Sequence, residues 1–193
     1  LRGTSVYLAD RVIPMLPREL SNGICSLNPN VDRLTLTVFM EIDKKGAVVD
    51  HRITESVINS KQRLIYDDVS DFLENDDERA KEKLKNILQD LTHMHELMKI
   101  LKEKRDRRGS IDFDFPETFI ELDVKGNPVD VRKAERRIAN RLIEEFMLVT
   151  NETVAEEFHW AEIPFLYRIH EEPSAEKLQD FAKFIHNFGY SLK

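Results

Sequence analysis

The sequence predicts a mixed α+β fold, in which a largely antiparallel sheet built from hairpins packs against three main helices. Two pairs of segments rich in β-branched residues flank short glycine-containing turns, and three longer stretches have helical spacing or helix-capping residues. Strands and helices interspersed in this way are typical of the α+β class. With 193 residues, of which 41% are hydrophobic and 34% charged, the chain is long enough for one well-cored domain.

The strands are predicted from the turns between them. The first pair, residues 34–42 and 47–58, flanks Asp43-Lys44-Lys45-Gly46, and the second pair, residues 118–123 and 128–132, flanks Val124-Lys125-Gly126-Asn127. Runs of this composition joined by a short turn indicate antiparallel hairpins. A further strand is predicted at residues 5–8, with no preceding element to pair with it.

The helices are predicted from apolar spacing and from capping residues. Residues 76–107 contain no glycine or proline, and steps of three and four residues separate Leu84, Leu88, Leu91, His95, Met98 and Leu101. A second helix is predicted at about 133–158, and a third over 174–188, begun by Ser174 and stopped by Gly189. No repeat or low-complexity linker divides the chain, so residues 1–193 are predicted to belong to one domain.

Composition and charge exclude several classes of protein. A lone cysteine, Cys25, cannot form an internal disulfide, and no apolar run approaches the ~20 residues that span a bilayer, which predicts a cytoplasmic protein without a membrane partner. The net charge of -7 argues against general adhesion to nucleic acid. Two local clusters are nevertheless basic, residues 102–108 (net +3) and 132–141 (net +4), and could line an RNA channel or be solvated helix ends.

The segment 13–30 is the strongest pointer to a functional site. Pro14 and Pro17 fix the backbone and withhold donors, while Gly23 and several asparagines permit turns, so a shaped loop is predicted here rather than a helix or strand. Long ordered loops usually carry sites.

Several short sequence motifs follow one another along the chain. They are Gly3-Thr4-Ser5-Val6-Tyr7, Ile13-Pro14-Met15-Leu16-Pro17, Leu20-Ser21-Asn22-Gly23, Cys25-Ser26-Leu27-Asn28-Pro29-Asn30, Val31-Asp32-Arg33-Leu34, Arg63-Leu64-Ile65-Tyr66, Arg108-Gly109-Ser110-Ile111-Asp112-Phe113, Arg137-Ile138-Ala139-Asn140-Arg141-Leu142-Ile143-Glu144-Glu145 and Arg168-Ile169-His170. Together they resemble the RNB catalytic domain of the ribonuclease II and ribonuclease R family, with the ribonuclease R branch nearest. The resemblance implies processive 3′ to 5′ hydrolysis of single-stranded RNA to nucleoside monophosphates, and a chain that covers the central part of the RNB domain.

The resemblance also implies a Mg²⁺ cofactor for the parent enzyme. The family binds the metal with an Asp-x-Asp-Asp cluster, which would lie upstream of this chain, and uses an arginine that would lie downstream. Neither motif occurs in the 193 residues. We therefore predict no catalytic residue and no bound metal within this chain, and no RNA cleavage by the chain alone. Asp112 and Asp114 have the only useful local spacing for a metal, but acidic pairs are common in so charged a chain.

The remaining predicted function is to hold RNA. By resemblance, Tyr7 and Phe113 would clamp the stacked 3′-terminal bases, while Tyr66 and Glu144 would distinguish ribose from deoxyribose, so that DNA is not expected as a substrate. Each aromatic could instead belong to the core, and Glu144 could be a surface residue. Arg137 and Arg141, one helical turn apart, could contact phosphate or pair with Glu144 and Glu145.

A different function would follow if residues 76–107 acted alone. Their apolar spacing extends over about two and a half heptads, which could support a coiled coil. The chain would then be a helical interaction module without enzymatic activity.

Overall fold

The computed structural model describes residues 3–113 and 117–192, and of Glu117 the backbone alone. Its strands there form three separate antiparallel pairs, each made of two consecutive strands. The predicted α+β class is confirmed, with two short helices in addition to the long ones. In chain order the elements are β1 (Val6–Tyr7), β2 (Val12–Ile13), a π-helical turn (Glu19–Ile24), β3 (Asp32–Ile42), β4 (Val48–Asn59), α1 (Tyr66–Asn75), α2 (Glu78–Leu84), α3 (Leu88–Arg107), β5 (Glu117–Leu122), β6 (Pro128–Ala134), α4 (Ile138–Trp160) and α5 (Ala175–His186).

The N-terminal segment is more regular than predicted. β1 pairs with β2, so that Tyr7 lies opposite Val12, and the π-helical turn follows five residues after β2. The prediction of a segment without helix or strand is wrong. The two prolines do not prevent these elements, because Pro14 follows β2 and Pro17 precedes the turn, where a missing N–H costs little.

The two longer hairpins close with the same turn. In β3–β4 the Asp43 carboxylate accepts hydrogen bonds from the backbone N–H groups two and four residues later, at 2.8 and 2.9 Å, and Gly46 has φ +81°. Asp123 and Gly126 repeat this arrangement in β5–β6, where φ is +82°. Glycine adopts this left-handed conformation without the steric cost of a Cβ. Both predicted hairpins are therefore present, with bounds shifted by one or two residues.

The single helix predicted over residues 76–107 is wrong, because the chain turns between α2 and α3. Ile87 leaves helical geometry at φ −135° and ψ 9°, and its side chain packs against the buried cluster next to Leu84 and Leu91. Residues three and seven positions apart share one face of a continuous helix as well, so the break at Ile87 changes the direction of the chain without removing these side chains from the core.

Helix α1 was not predicted, and it fixes where α4 begins. Its Ser70, which is fully buried, accepts a hydrogen bond from the Ala139 N–H at 3.2 Å, and its Glu74 accepts one from the Ile138 N–H at 2.8 Å. The first N–H groups of a helix have no partner within the helix. Side chains of α1 thus cap α4, which starts at Ile138 rather than near residue 133.

The main core lies where α1, α2, α3 and α4 meet. Val69, Leu84, Leu91 and Ala139 form its buried cluster, and Met98 and Leu101 of α3 are also buried. The apolar stripe that suggested a coiled coil is therefore covered by the chain itself. This packing argues against the interaction-module alternative.

The chain divides into two compact units, Leu1–Glu156 and Glu157–Lys193. In the second unit Phe165 contacts the rings of Phe158 and Tyr167, at 4.8 and 5.2 Å between centroids. Helix α5 begins at the predicted cap, because the Ser174 hydroxyl accepts a hydrogen bond from the Lys177 N–H. Among the described residues, no helix combines the length and apolar character that crossing a membrane requires. The assignment of residues 1–193 to a single domain stays a prediction.

Candidate functional site

The Glu144 carboxylate is held by two arginines. Arg136, in the link between β6 and α4, donates through Nη2 to Glu144 Oε2, and Arg105 of α3 places Nη1 3.2 Å from Glu144 Oε1. An ionised carboxylate accepts hydrogen bonds only, and offers about four acceptor positions. Among the described residues one position on each oxygen is used, so the carboxylate has a fixed orientation and keeps acceptor positions that no described residue occupies.

The neighbouring Glu145 is one of the few buried charges in the described residues. Its side chain is 3% exposed and its Oε1 lies 2.6 Å from Nη2 of Arg105, which is 14% exposed. Burial raises the pKa of Glu145, and the adjacent guanidinium opposes this shift. Arg105 thus uses one guanidinium for two adjacent glutamates of α4, which anchors α4 to the C-terminal half of α3.

Arg136 also reaches the segment that carries Phe113. Its Nη1 donates to Asp112 Oδ1 at 2.6 Å, and this hydrogen bond is the main reason why the pKa of Asp112 lies below its ordinary value. Phe113 follows directly and is 63% exposed. The ring that was predicted to stack on bases is therefore adjacent, in sequence, to a residue fixed to Glu144 through Arg136.

Tyr66 is at the start of α1, where it lines a cavity of about 350 Å³. Leu142 and Ile143 of α4 line the same cavity, immediately before Glu144. Tyr66 is 51% exposed, so it is not a core aromatic. The segments that carry Tyr66, Phe113 and Glu144 are thus linked near the N-terminal half of α4, Tyr66 through the cavity shared with Leu142 and Ile143 and Phe113 through its neighbour Asp112. The remaining lining consists of Arg63, Leu64, Ile65, Val69, Leu91, Met94 and Ala139.

Tyr7 lies in β1 and is 78% exposed. The loop that follows its hairpin is held by Arg33 of β3, which donates to the carbonyl oxygens of Ser26 at 2.9 Å and Gly23 at 3.4 Å. Tyr7 is thus a solvent-facing aromatic on an ordered segment. Its convergence with Phe113 stays a prediction.

The two arginines predicted to contact RNA have different surroundings. Arg137 pairs with carboxylates of α1, placing Nη2 2.6 Å from Asp71 Oδ1 and 2.8 Å from Glu74 Oε2. The sequence allowed a pairing of Arg137 with Glu144 or Glu145, but the structure shows Arg137 bound to carboxylates of α1 instead. Arg141 is exposed and has no side-chain hydrogen bond or ion pair with any residue that the structure describes. Of the two arginines, Arg141 is therefore the one whose guanidinium forms no ion pair with a described residue.

The carboxylates near this site do not form a metal centre. Within residues 3–113 and 117–192, no group of three or more His, Cys, Asp and Glu side chains is placed to hold a metal ion. Asp112, Glu144 and Glu145 each lie against an arginine, which competes for the lone pairs that a divalent cation would need. These residues do not fit Mg²⁺. Asp114, the other half of the spacing noted in the sequence, lies outside the described residues.

Arg105 and Arg136 were not singled out from the sequence as individual residues. Both lie in the two basic clusters, and a signal was present in their composition, because arginine predominates in 132–141 and a Glu-Glu pair follows. Arginine suits carboxylates that need a planar, two-pronged partner, whereas lysine is a point charge. An arginine-rich run beside paired glutamates is thus compatible with ion pairs inside the chain as well as with phosphate binding, and here Arg105 and Arg136 bind carboxylates.

Comparison with known proteins agrees with the resemblance seen in the sequence. The family model described as RNB domain matches residues 1–192. Ribonuclease R 1 of Lactococcus lactis is 48% identical over 192 residues, which are 100% of this chain and 23% of that protein. Ribonuclease R of Thermotoga maritima is 47% identical over 194 residues, covering 100% of this chain and 27% of the relative.

A solved structure shares the fold closely. Mycoplasma genitalium RNase R in complex with ribose methylated single-stranded RNA superposes with a TM-score of 0.85 at 31% identity, covering 96% of this chain and 29% of that one. The chain therefore spans about a quarter of the length of the curated relatives it matches.

Proposed function

Since this chain belongs to the RNB domain family, we propose that it contributes the RNA-contacting wall of a 3′ to 5′ exoribonuclease that degrades single-stranded RNA processively to nucleoside monophosphates. The proposal is supported by the names of the relatives and by the RNA complex of the similar structure. The observation that carries it is a Glu144 carboxylate held by two arginines, of which Arg136 also binds Asp112 beside the exposed Phe113. The exposed Tyr66 lines a cavity together with Leu142 and Ile143, which precede Glu144.

This arrangement suits the 3′ end of an RNA strand. Aromatic rings stack on bases of any identity, each contributing about 1–3 kcal/mol. A fixed carboxylate accepts a hydrogen bond from a ribose 2′-hydroxyl, which a deoxyribose lacks. Phe113 would hold stacked bases, and Tyr66 and Glu144 would meet the terminal sugar, so that RNA is preferred to DNA.

The chemistry of strand cleavage would come from residues outside this chain. We propose that the parent enzyme uses Mg²⁺ to activate water and to stabilise the leaving oxygen, with carboxylates other than those described here as ligands. The described carboxylates near Glu144 are occupied by arginines, so the isolated chain is proposed to be inactive. Without a membrane partner, the parent enzyme is expected to work in the cytoplasm.

The test uses the full-length protein that contains this chain and a 5′-labelled single-stranded oligoribonucleotide. We expect the wild-type protein to shorten the RNA from its 3′ end, and Phe113→Ala to stop at a longer product because the clamp has lost one face. Phe119→Ala is the matched control, since Phe119 is similarly exposed at 58% but lies in the β5–β6 hairpin outside the site. A wild-type protein that leaves the RNA intact refutes the proposed function. Identical product lengths for the two variants refute the role of Phe113.

A further inference from the structure

The side chain of Arg136 joins two parts of the proposed site that are far apart in sequence. One prong of its guanidinium, Nη1, binds Asp112, which precedes Phe113, and the other prong, Nη2, binds Glu144. The proposed functions of these two neighbours differ, because Phe113 would stack on bases and Glu144 would meet the terminal sugar. Arg136 itself is only 26% exposed and both of its prongs are occupied. It is therefore not free to bind RNA phosphate.

We propose that Arg136 is a positioning residue that sets the distance between the base-stacking ring of Phe113 and the sugar-sensing carboxylate of Glu144. The inference rests on the proposed function. The guanidinium is planar and rigid, so two carboxylates bound to its two prongs have a fixed separation. A ligand that is read at its bases by one group and at its ribose by the other requires such a fixed spacing.

The contacts around Arg136 show what its removal would release. Among the described residues, Asp112 would retain one ion-pair partner, Lys102, whose Nζ is 3.8 Å away and already lies 2.5 Å from Asp106. Glu144 would retain Arg105 at 3.2 Å. Asp112 thus depends on Arg136 more than Glu144 does. Loss of Arg136 should loosen Asp112, and with it the position of the adjacent Phe113, and leave the Glu144 carboxylate less precisely oriented.

This reasoning predicts different signatures for different variants of the full-length protein. Arg136→Ala should lengthen the limit product and also lower, by about tenfold, the ratio of cleavage rates for a 3′-ribose and a 3′-deoxyribose terminus, as expected for one lost charge-assisted hydrogen bond. Asp112→Ala should lengthen the limit product without changing the ratio. Arg136→Lys should recover part of the ratio, because a lysine can reach one carboxylate but cannot fix two.

The control separates positioning from a general loss of stability. Lys81→Ala also removes a half-buried cation, 25% exposed, that binds two carboxylates, those of Asp76 and Glu78. It lies in α2 outside the site, so its limit product and its ribose-to-deoxyribose ratio should equal those of the wild-type protein. A variant that is merely destabilised lowers both cleavage rates together and leaves their ratio unchanged.

The outcomes distinguish this inference from the proposed function. A wild-type protein that degrades RNA with a ribose preference, together with an Arg136→Ala variant that keeps the wild-type ratio and limit product, overturns the positioning role alone. If Arg136→Ala does not fold, the variants Asp112→Ala and Arg136→Lys decide instead. The positioning role is then overturned if Asp112→Ala has the wild-type limit product and Arg136→Lys has the wild-type ratio of ribose to deoxyribose cleavage. If the wild-type protein does not degrade RNA, both proposals fall.

Discussion

Replacing Arg137 by alanine should destabilise the fold, although this residue was predicted from the sequence to contact RNA. Its guanidinium makes hydrogen-bonded ion pairs with Asp71 and Glu74 at 2.6 and 2.8 Å. Buried charge-assisted hydrogen bonds contribute about 1.5–3 kcal/mol each, whereas exposed ion pairs contribute about 0.2–1 kcal/mol. Arg137 is 21% exposed, but its partners are 41% and 36% exposed, so the lower range is the better guide. The expected loss is about 1–2 kcal/mol.

Urea and thermal unfolding of the 193-residue chain measure this loss. For a chain of this size, about 1–2 kcal/mol corresponds to a fall of about 2–8 °C in Tm. Arg141→Ala is the matched control, because Arg141 lies four residues further on, at the start of α4, is exposed, and has no ion pair with a described residue. Its Tm should stay within about 1–2 °C of the unmodified chain, since surface substitutions of this kind change stability by about 0.5 kcal/mol or less.

A double-mutant cycle with Glu74→Ala isolates the pair itself. The coupling free energy should be about 0.5–1 kcal/mol and should fall as salt is added, because screening weakens partly exposed ion pairs. RNA binding by the full-length protein gives the complementary measurement, in which Arg141→Ala reduces the salt dependence of binding more than Arg137→Ala does. The reasoning is refuted if Arg137→Ala unfolds at the same urea concentration as the unmodified chain, or if the coupling to Glu74 is zero.

Three further tests concern the core, a turn and the acid response. Leu84→Ala should cost about 2–5 kcal/mol in urea unfolding, because the side chain is 2% exposed at the centre of the helical core. Gly46 and Gly126 both have a positive φ, so replacing either by alanine should cost about 1–2 kcal/mol. Gly46→Ala should cost more than Gly126→Ala, because of these two sites only Gly46 would bring the new Cβ against a backbone oxygen of α3, at 3.2 Å. Equal losses would show that the turn does not pack on α3. The hydrogen bond from Arg136 lowers the folded-state pKa of Asp112, so the ionised Asp112 carboxylate stabilises the folded state. This stabilisation should be complete above about pH 3.8, the ordinary pKa of an aspartate, and should disappear as the pH falls through the lower pKa of the folded state. Asp112→Asn should flatten the stability curve in this acid range, and an unchanged curve would contradict the assignment.

Much of the fold could be predicted from local signals. The hairpins around Gly46 and Gly126 follow from a turn that needs a left-handed residue, and α5 follows from the cap at Ser174. These features involve residues only a few positions apart, so their energetics are nearly independent of the rest of the chain. The elements that were missed or joined depend on distant partners. α1 caps α4, and the chain leaves helical geometry at Ile87, between two helices that both pack on the same core.

The same distinction between local signals and contacts of distant residues applies to the candidate site. The sequence alone determined the family resemblance, the identity of the aromatic and acidic residues, and the abundance of arginine beside Glu144. Only the tertiary structure decided which arginines hold carboxylates and which remain available, because Arg136 meets Asp112 across 24 positions and Arg137 meets Asp71 across 66. Coulombic attraction between such residues depends on their separation in space and on the water excluded around them, and neither quantity is encoded in local spacing.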